Sequence, residues 1–272
     1  GKGERELRVD FIGSREDYDR YREYFNGIRN TTFMISSIDR TVAGNSDIVF
    51  LDANPATRAA WILMLIDSGR DILTTYPLCN DLGDYTGISD FIEQYGRHVG
   101  MINPLLFYPS LKLLREHIST KGINLDQVRI SCHPEYLTGD FSIPGLTGTA
   151  QAFQGAVYLI SGLYPLSLMG EADANGDLSE IHCRYEGFDL YIHFDRGQTG
   201  WNMEITGEEF TARIDHTGLL ALNNEVEPRV APDPGVFERA VRENLDDFLQ
   251  AVRDRNTPQV NQIDGLSAMM LN

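Results

Sequence analysis

The sequence has few cysteines and few lysines, and it has no long apolar run. Its three cysteines, Cys79, Cys132 and Cys183, lie far apart in a chain of 272 residues. Zinc sites and disulfide frameworks need closely spaced or paired cysteines. We therefore predict three buried thiols in a reducing, cytoplasmic environment, and no metal site.

Membranes and nucleic acids are not expected as partners. No stretch reaches the roughly 20 apolar residues that a membrane-spanning helix needs, and the polar start of the chain does not resemble a signal peptide. The formal net charge is −17, and all but three of the 23 basic residues are arginines. Nucleic acids and anionic lipids require clustered basic side chains. An acidic, lysine-poor protein fits a salt-adapted source or a GC-rich genome equally well, and neither identifies a reaction.

Strand-like and helix-like runs alternate over residues 1–102. Strands are predicted at 7–13, 31–38, 47–51, 72–75 and 98–102, and the second of them closes on Asp39. Helices are predicted after Gly13, from the Asn54-Pro55 turn to Ile66, and over 85–95. This alternation indicates an α/β domain with a Rossmann-like, doubly wound parallel sheet. Ligands of such sheets bind beyond the carboxyl ends of the strands, where Tyr76 follows the fourth strand.

After residue 102 the pattern changes to α+β. Helices are predicted over 106–118, within 149–168 and from the Asp233-Pro234 cap to about residue 256, and a strand is predicted at 128–133. Four further strand-like runs, at 180–185, 188–194, 201–206 and 209–214, are separated by turn signals. We predict a second domain at 103–256 with an open, mostly antiparallel sheet. Residues 257–272 are predicted as a C-terminal segment that returns toward the first domain.

Four stretches together resemble the Gfo/Idh/MocA family of oxidoreductases. They begin with DIVFLDANPATRAAWILMLIDSGRDILTTYPL and HVGMINPLLFYPSLKLLREHI, and they continue with GTAQAFQGAVYLIS and NLDDFLQAVRDRNTPQVNQIDGLSAMM. The resemblance covers most of the chain from Asp47 onward. It implies an N-terminal domain that binds NAD(P) and a C-terminal open sheet that shapes the substrate site and often the oligomer interface.

The resemblance also implies a phosphate-binding turn, and this turn is altered. Only the first glycine of the family's GxGxxG survives, as Gly13, and Ser14 and Arg15 follow it before two acidic residues. Carboxylates beside a diphosphate repel it, although Ser14 and Arg15 suit a single phosphate or another anion. Asp39 stands where the family's ribose-binding acid is usually found, or it is a simple turn acid. Asn54 and Pro55 match the family's Asn/Pro turn and complete the cofactor-binding positions, if any cofactor binds.

The positions that match the family's catalytic residues are altered as well. Tyr76 replaces the lysine of Glu-Lys-Pro, Tyr158 replaces the catalytic histidine, and Gln154 replaces the aspartate four residues before it. Neither a phenol nor a carboxamide readily takes up a proton near neutral pH. Each of the three side chains either packs in the core or hydrogen-bonds a ligand, and Tyr76 could also donate a proton.

Polar side chains are predicted to share one face of the second domain's sheet: Arg129, His133, His182, Arg184, Tyr191 and His193. Strand alternation gives them the same parity. The face is predicted to be solvated, to contact another subunit of a homo- or hetero-oligomer, or to bind an acidic ligand.

Two functions follow from these patterns. The first is a pseudoenzyme of the Gfo/Idh/MocA fold that lacks NAD(P)-dependent hydride transfer and acts as a non-catalytic subunit or small-molecule-binding protein. The alternative is an active NAD(P)-dependent reductase of a small carbonyl, sugar or imine substrate, with Tyr76 or Tyr158 as the proton donor. The cofactor is accordingly either NAD(P) or none.

Overall fold

The computed structural model describes residues 6–79, 82–133, 143–172 and 178–261. The chain forms two compact units, one of residues 1–102 with 241–266 and the other of residues 103–240 with 267–272. Residues 241–256, which the sequence prediction grouped with 103–240, cluster here with residues 1–102. The reason is packing: Phe248 lies against Gly100, and Asn244 donates a hydrogen bond to the carbonyl of Met101.

The first unit contains a five-stranded parallel sheet in the order β2-β1-β3-β4-β5. Its strands are β1 (Leu7–Ile12), β2 (Thr31–Ile35), β3 (Ile48–Leu51), β4 (Asp71–Thr74) and β5 (Val99–Met101). Its helices are α1 (Arg15–Phe25), α2 (Ile38–Ala43), α3 (Pro55–Asp67) and α4 (Leu82–Tyr95). Every residue of β3 and β4 is buried, as expected for parallel strands covered on both faces. The predicted Rossmann-like sheet is confirmed.

The second strand and Asp39 differ from their prediction. Strand β2 ends at Ile35, three residues earlier than expected, and Asp39 lies in the first turn of α2. Ser37 takes an extended backbone conformation at the start of this helix, and serine is a favoured residue at that position. A β-branched, apolar sequence therefore gives way to a short helix that the sequence pattern did not indicate.

The second unit contains an eight-stranded mixed sheet in the order β13-β12-β11-β10-β6-β9-β8-β7. Its strands are β6 (Leu125–Cys132), β7 (Ser167–Ala172), β8 (Leu178–Arg184), β9 (Asp189–Phe194), β10 (Trp201–Gly207), β11 (Phe210–Asp215), β12 (Leu220–Leu222) and β13 (Glu225–Val226). Its helices include a short 3-10 turn (Pro104–Phe107), α5 (Pro109–Lys121) and α6 (Ile143–Ser161). Helix α7 (Val236–Asp254) begins in this unit and continues into the first.

The mostly antiparallel character of this sheet is confirmed. Among the strand pairs that the structure describes, β6 with β9 is parallel, and the others in this sheet are antiparallel. Three strands were not predicted: β7, β12 and β13. Two of them lie at the edges of the sheet and expose apolar side chains such as Met169 and Val226. The described side chains of these two edge strands are exposed, so they show no alternation of the kind that reveals a half-buried strand.

The polar face of the second sheet has the predicted parity. In the register, Arg129 pairs with Tyr191, and Tyr191 pairs with His182. The rings of His182 and Tyr191 stack with centroids 4.5 Å apart, while neighbours such as Ile130 point into the core. Within the described part of the chain, no helix is long and apolar enough to cross a membrane.

Candidate functional site

Four loops follow the strands of the first unit at one edge of the parallel sheet. They begin after β1 at Gly13, after β2 at Ser36, after β3 at Asp52 and after β4 at Thr75. The carboxyl ends of parallel strands lie on the same side of a sheet, so the predicted site residues of the first unit lie on this side. These are Gly13, Ser14, Arg15, Asp39, Asn54, Pro55 and Tyr76, of which Asp39 lies in the first turn of α2.

Gly13 is required by the close packing of its turn. A Cβ at this position would lie 2.7 Å from Cζ of Phe11 and 3.0 Å from the carbonyl oxygen of Asp52. Real Cβ atoms do not approach ring carbons this closely, so a larger residue would push β1 and β3 apart. The one glycine that remains of the predicted motif therefore has a packing role.

The amino end of α1 is capped by the protein's own side chains. Ser14 Oγ accepts a hydrogen bond from the backbone N–H of Asp17 at 3.0 Å, and its hydroxyl donates to Asp17 Oδ2 at 2.5 Å. Arg20 pairs with the same carboxylate at 2.8 Å. Arg15 forms an ion pair with Asp19 one turn along the helix, at 3.1 Å. The helix end that would hold an anion thus already carries a carboxylate.

Asn54 and Pro55 begin helix α3. The Asn54 side chain accepts a hydrogen bond from the backbone N–H of Ala56 at 2.9 Å, and Pro55 occupies the first turn, where its missing N–H costs no hydrogen bond. This predicted helix start is confirmed. The geometry gives Asn54 a capping role, and it assigns no ligand contact to either residue.

A partly buried carboxyl group, Asp52, directly follows the last residue of β3. Its Oδ1 accepts a hydrogen bond from the Thr75 hydroxyl at 3.2 Å. Burial raises the pKa of this carboxyl above its ordinary value, and the negative charge of Asp17 raises it further. Tyr21 lies nearby on α1 with its ring 4.5 Å from that of Phe50, and burial followed by the charge of Asp52 raises the pKa of its phenol. This edge of the sheet is therefore electrostatically unfavourable for added negative charge.

Arg58 ties two of the loops together from inside the protein. Its Nε and Nη2 donate to the carbonyl of Ala53, at 3.1 and 2.5 Å, and its Nη1 donates to the carbonyls of Thr75, at 2.7 Å, and Pro77. Nη2 also contacts the Thr75 hydroxyl at 3.2 Å. Burial lowers the pKa of this guanidinium to about 10, although the Asp52 carboxylate acts in the opposite direction. Arg58 holds the strand ends in place and is directed at the backbone.

Tyr76 is buried between the loop residues that Arg58 holds. Its exposed fraction is 6%, and it precedes Pro77 through a cis peptide bond. Thr75 and Pro77, on either side of it, accept hydrogen bonds from Arg58. The phenol therefore follows the strand end at the position where the family's pattern has a lysine, between two residues that Arg58 contacts.

The predicted pair on α6 lies in the second unit. Gln154 is buried, its Nε2 donates to Cys183 Sγ at 3.1 Å, and its Oε1 has no hydrogen-bond partner among the described residues. Burial raises the pKa of the Cys183 thiol to about 11, so the thiol stays protonated. Tyr158 is half-buried and stacks on Tyr164 with centroids 4.5 Å apart. Both side chains have packing partners within their own unit.

Sequence reasoning did not identify Asp52, Arg58 or Tyr21. Asp52 directly follows a predicted strand, and residues in that position lie where ligands of parallel sheets bind, so its place in the sequence could have identified it. Arg58 had no comparable signal, because an arginine on an apolar helix is usually exposed. Among the described residues, no group of three or more His, Cys, Asp and Glu side chains could hold a metal ion.

These residues do not fit the pyrophosphate of NAD(P) held in the Rossmann manner. That arrangement needs a glycine-rich turn and open backbone N–H groups at the helix end. Here Ser14 and Asp17 occupy the helix end, and the Asp52 carboxyl lies beside the turn. The charge of Asp17 raises the pKa of the Asp52 carboxyl, and the charge of a diphosphate would add to that repulsion.

No protein-family model matches the chain, and no curated protein matches it by sequence. Many solved structures share its fold. A dehydrogenase (MviM) from Clostridium difficile has a TM-score of 0.76 at 12% identity, with 96% of each chain covered. Myo-inositol 2-dehydrogenase from Lactobacillus plantarum has a TM-score of 0.76 at 15% identity, covering 97% of this chain and 94% of its own.

An oxidoreductase from Agrobacterium radiobacter, solved in complex with NAD+, L-tartaric acid and magnesium, has a TM-score of 0.77 at 11% identity. The alignment covers 97% of this chain and 93% of that one. The chain therefore has the fold of Gfo/Idh/MocA-type oxidoreductases, over almost its whole length. The resemblance predicted from sequence is confirmed at the level of the fold.

Proposed function

We propose that this protein of the Gfo/Idh/MocA fold binds a small molecule without transferring hydride, either alone or as a non-catalytic subunit of an oligomer. The observation that carries the proposal is the placement of the Asp17 and Asp52 carboxyl groups beside the turn at Gly13. Each would face the diphosphate of a dinucleotide, and like-charge repulsion of this kind costs on the order of 1 kcal/mol or more per carboxylate.

The residues at the reacting positions support the same proposal. Tyr76 is buried, Gln154 donates to a protonated thiol, and Tyr158 stacks on a neighbouring tyrosine. None of them supplies a cation that could polarise a carbonyl group or a base that could accept a proton near neutral pH. A ligand at the strand ends would instead be held by hydrogen bonds and apolar contacts.

The proposal is tested by titrating the full chain with NADH and following nicotinamide fluorescence. We expect no saturation at micromolar concentrations. The double variant Asp17→Asn, Asp52→Asn removes both charges, and we expect it to bind NADH at least about tenfold more tightly than the wild type. Asp90→Asn, an exposed acid on α4 of the same unit, is the matched control and should leave binding unchanged. Saturable wild-type binding with a Kd below about 10 μM would refute the proposal.

An active reductase is the second candidate, and the dehydrogenase fold of the similar structures favours it. In that case Tyr76 or Tyr158 would donate the proton to a carbonyl, sugar or imine substrate. The test is NADH or NADPH oxidation over a panel of such substrates. A turnover that Tyr76→Phe or Tyr158→Phe abolishes would establish this candidate, and absence of turnover in the wild type would count against it.

A further inference from the structure

A cavity lies in the first unit, at the amino ends of the strands. Its volume is about 920 Å³, within the range of small-molecule sites. The first residue of β1, the loops before β3, β4 and β5, and the last turn of α7 line it. Four arginines belong to this lining: Arg70, Arg97, Arg253 and Arg255. It is on the opposite edge of the sheet from the candidate site, so an inference about it does not depend on the proposed function.

Two of these arginines share one carboxylate oxygen. Asp71 is almost completely buried, and its Oδ1 accepts from the backbone N–H of His98 at 2.8 Å and faces the His98 ring at 3.1 Å. The other oxygen, Oδ2, lies 3.9 Å from Nη1 of Arg97 and 3.3 Å from Nη1 of Arg255. Close charge-assisted hydrogen bonds measure about 2.7–2.9 Å. Arg255 therefore makes only a long hydrogen bond to Asp71, and Arg97 makes only a loose ion pair with it. Both are within reach of one further anion.

The other two arginines are fixed by backbone carbonyls. Arg70 donates to the carbonyls of Ser68 and Gly44, and Arg253 donates to those of Arg29 and Asn30. Gly44 ends α2 and Ser68 ends α3, so the contacts of Arg70 offset the negative ends of two helices. Each side chain nevertheless has a buried Nε–H without an acceptor in the described part of the chain. Two of the arginines that line the cavity therefore carry a buried donor without an acceptor among the described residues.

The other acidic side chains on the cavity wall already accept hydrogen bonds from the protein. Asp47 accepts from the backbone N–H of Arg8 at 2.9 Å. Asp254 accepts from the Gln250 side chain at 2.7 Å. They partly balance the arginines, so the cavity suits a ligand with one or two negative charges.

We propose that this cavity binds a small molecule through a phosphate or carboxylate group held between Arg97 and Arg255. The planar guanidinium presents paired donors that match the oxygens of either group. Arg255 has a φ of 58°, a left-handed conformation at the end of α7 where glycine is the usual residue. A side-chain role at the cavity accounts for an arginine at this position.

The experiment is isothermal titration of the full chain with inorganic phosphate and, separately, with succinate, at fixed ionic strength. We expect saturable binding of at least one. Binding of phosphate alone identifies a phosphate ester as the ligand class, and binding of succinate alone identifies a carboxylate. Arg97→Gln and Arg255→Gln should each weaken binding about tenfold or more, because each removes a charge-assisted contact. Both side chains are partly exposed, at 28% and 54%, so the variants should fold.

Two control variants locate the site. Arg184→Gln changes an exposed arginine of the other unit, and Arg15→Gln changes the cation beside the turn at Gly13. Both should bind the anion within twofold of the wild type. The proposal is overturned by three results: no saturable binding of either anion, unchanged binding in Arg97→Gln and Arg255→Gln, or an equal loss in Arg15→Gln. The last result would place the anion at α1.

Discussion

Replacement of Arg58 by methionine is the sharpest test of how the strand ends are held. The side chain is 3% exposed and donates to the carbonyls of Ala53, Thr75 and Pro77. Methionine has a similar length but has no donors, so all three carbonyls would lose this partner inside the protein. The apolar stem would still fill most of the volume, which limits the contribution of a cavity.

The magnitude follows from two opposing terms. A buried carbonyl left without a partner costs roughly 2 kcal/mol, so three cost about 6 kcal/mol. Removal of the guanidinium relieves its own burial, and the lowering of its pKa from 12.5 to about 10 corresponds to about 3 kcal/mol. We therefore expect Arg58→Met to reduce the free energy of unfolding by about 3 kcal/mol.

The assay is urea denaturation followed by circular dichroism, with the change in midpoint converted by the slope. Arg22→Met is the matched control, because Arg22 is half-exposed and its ion pair with Asp19 is 3.7 Å long. That variant should remain within about 0.5 kcal/mol of the wild type. If Arg58→Met lowered the free energy of unfolding by less than about 1 kcal/mol, the loops after β3 and β4 would hold their conformation without Arg58.

Three further predictions concern single side chains. Asp52→Asn should stabilise the protein at pH 7, because the raised pKa of Asp52 means that its ionised form opposes folding. This gain in the free energy of unfolding should disappear as the pH falls below 3.8, because the carboxyl is then protonated in both the folded and the unfolded state. Urea midpoints at pH 7 and at the lowest pH with a cooperative transition check this. Gly100→Ala should lower the free energy of unfolding by about 1–3 kcal/mol, because its Cβ would lie 2.4 Å from the Phe248 ring. Gly87→Ala in α4 is the contrast: its Cβ would meet no atom within 4 Å, so the free energy of unfolding should rise by about 0.5–1 kcal/mol. Gln154→Met should cost less than about 1 kcal/mol in the same assay, because its buried Oε1 has no partner among the described residues; a larger loss would show that its contact with the Cys183 thiol is structurally important.

Much of the fold could be predicted because local patterns and burial agreed. The runs that became β3 and β4 are buried throughout and have apolar centres, and Asn54-Pro55 marked the start of α3 through side-chain and backbone chemistry alone. The start of α2 was missed because its residues favour a strand, and β7 and β13 were missed because they are exposed edges. In β7 and β13 the pairing of distant segments outweighed the local preference.

The candidate site was only partly predictable. Gly13 and Tyr76 could be placed at strand ends, since a parallel sheet brings all such ends to one edge. The contacts of Arg58 with two loops, and the raised pKa of Asp52, depend on distances between residues far apart in sequence. No spacing rule specifies them.

The sequence by itself determined the two-part architecture, the loss of glycines after Gly13 and the absence of lysine and histidine at the expected positions. These are properties of residue order and residue type. Only the tertiary structure decided that Asp17 occupies the end of α1, that Arg58 is directed at the backbone, and that four arginines surround a cavity at the other edge of the sheet. The physical reason is that charge and hydrogen bonding act through space: a side chain's role depends on which groups folding places within a few ångströms of it.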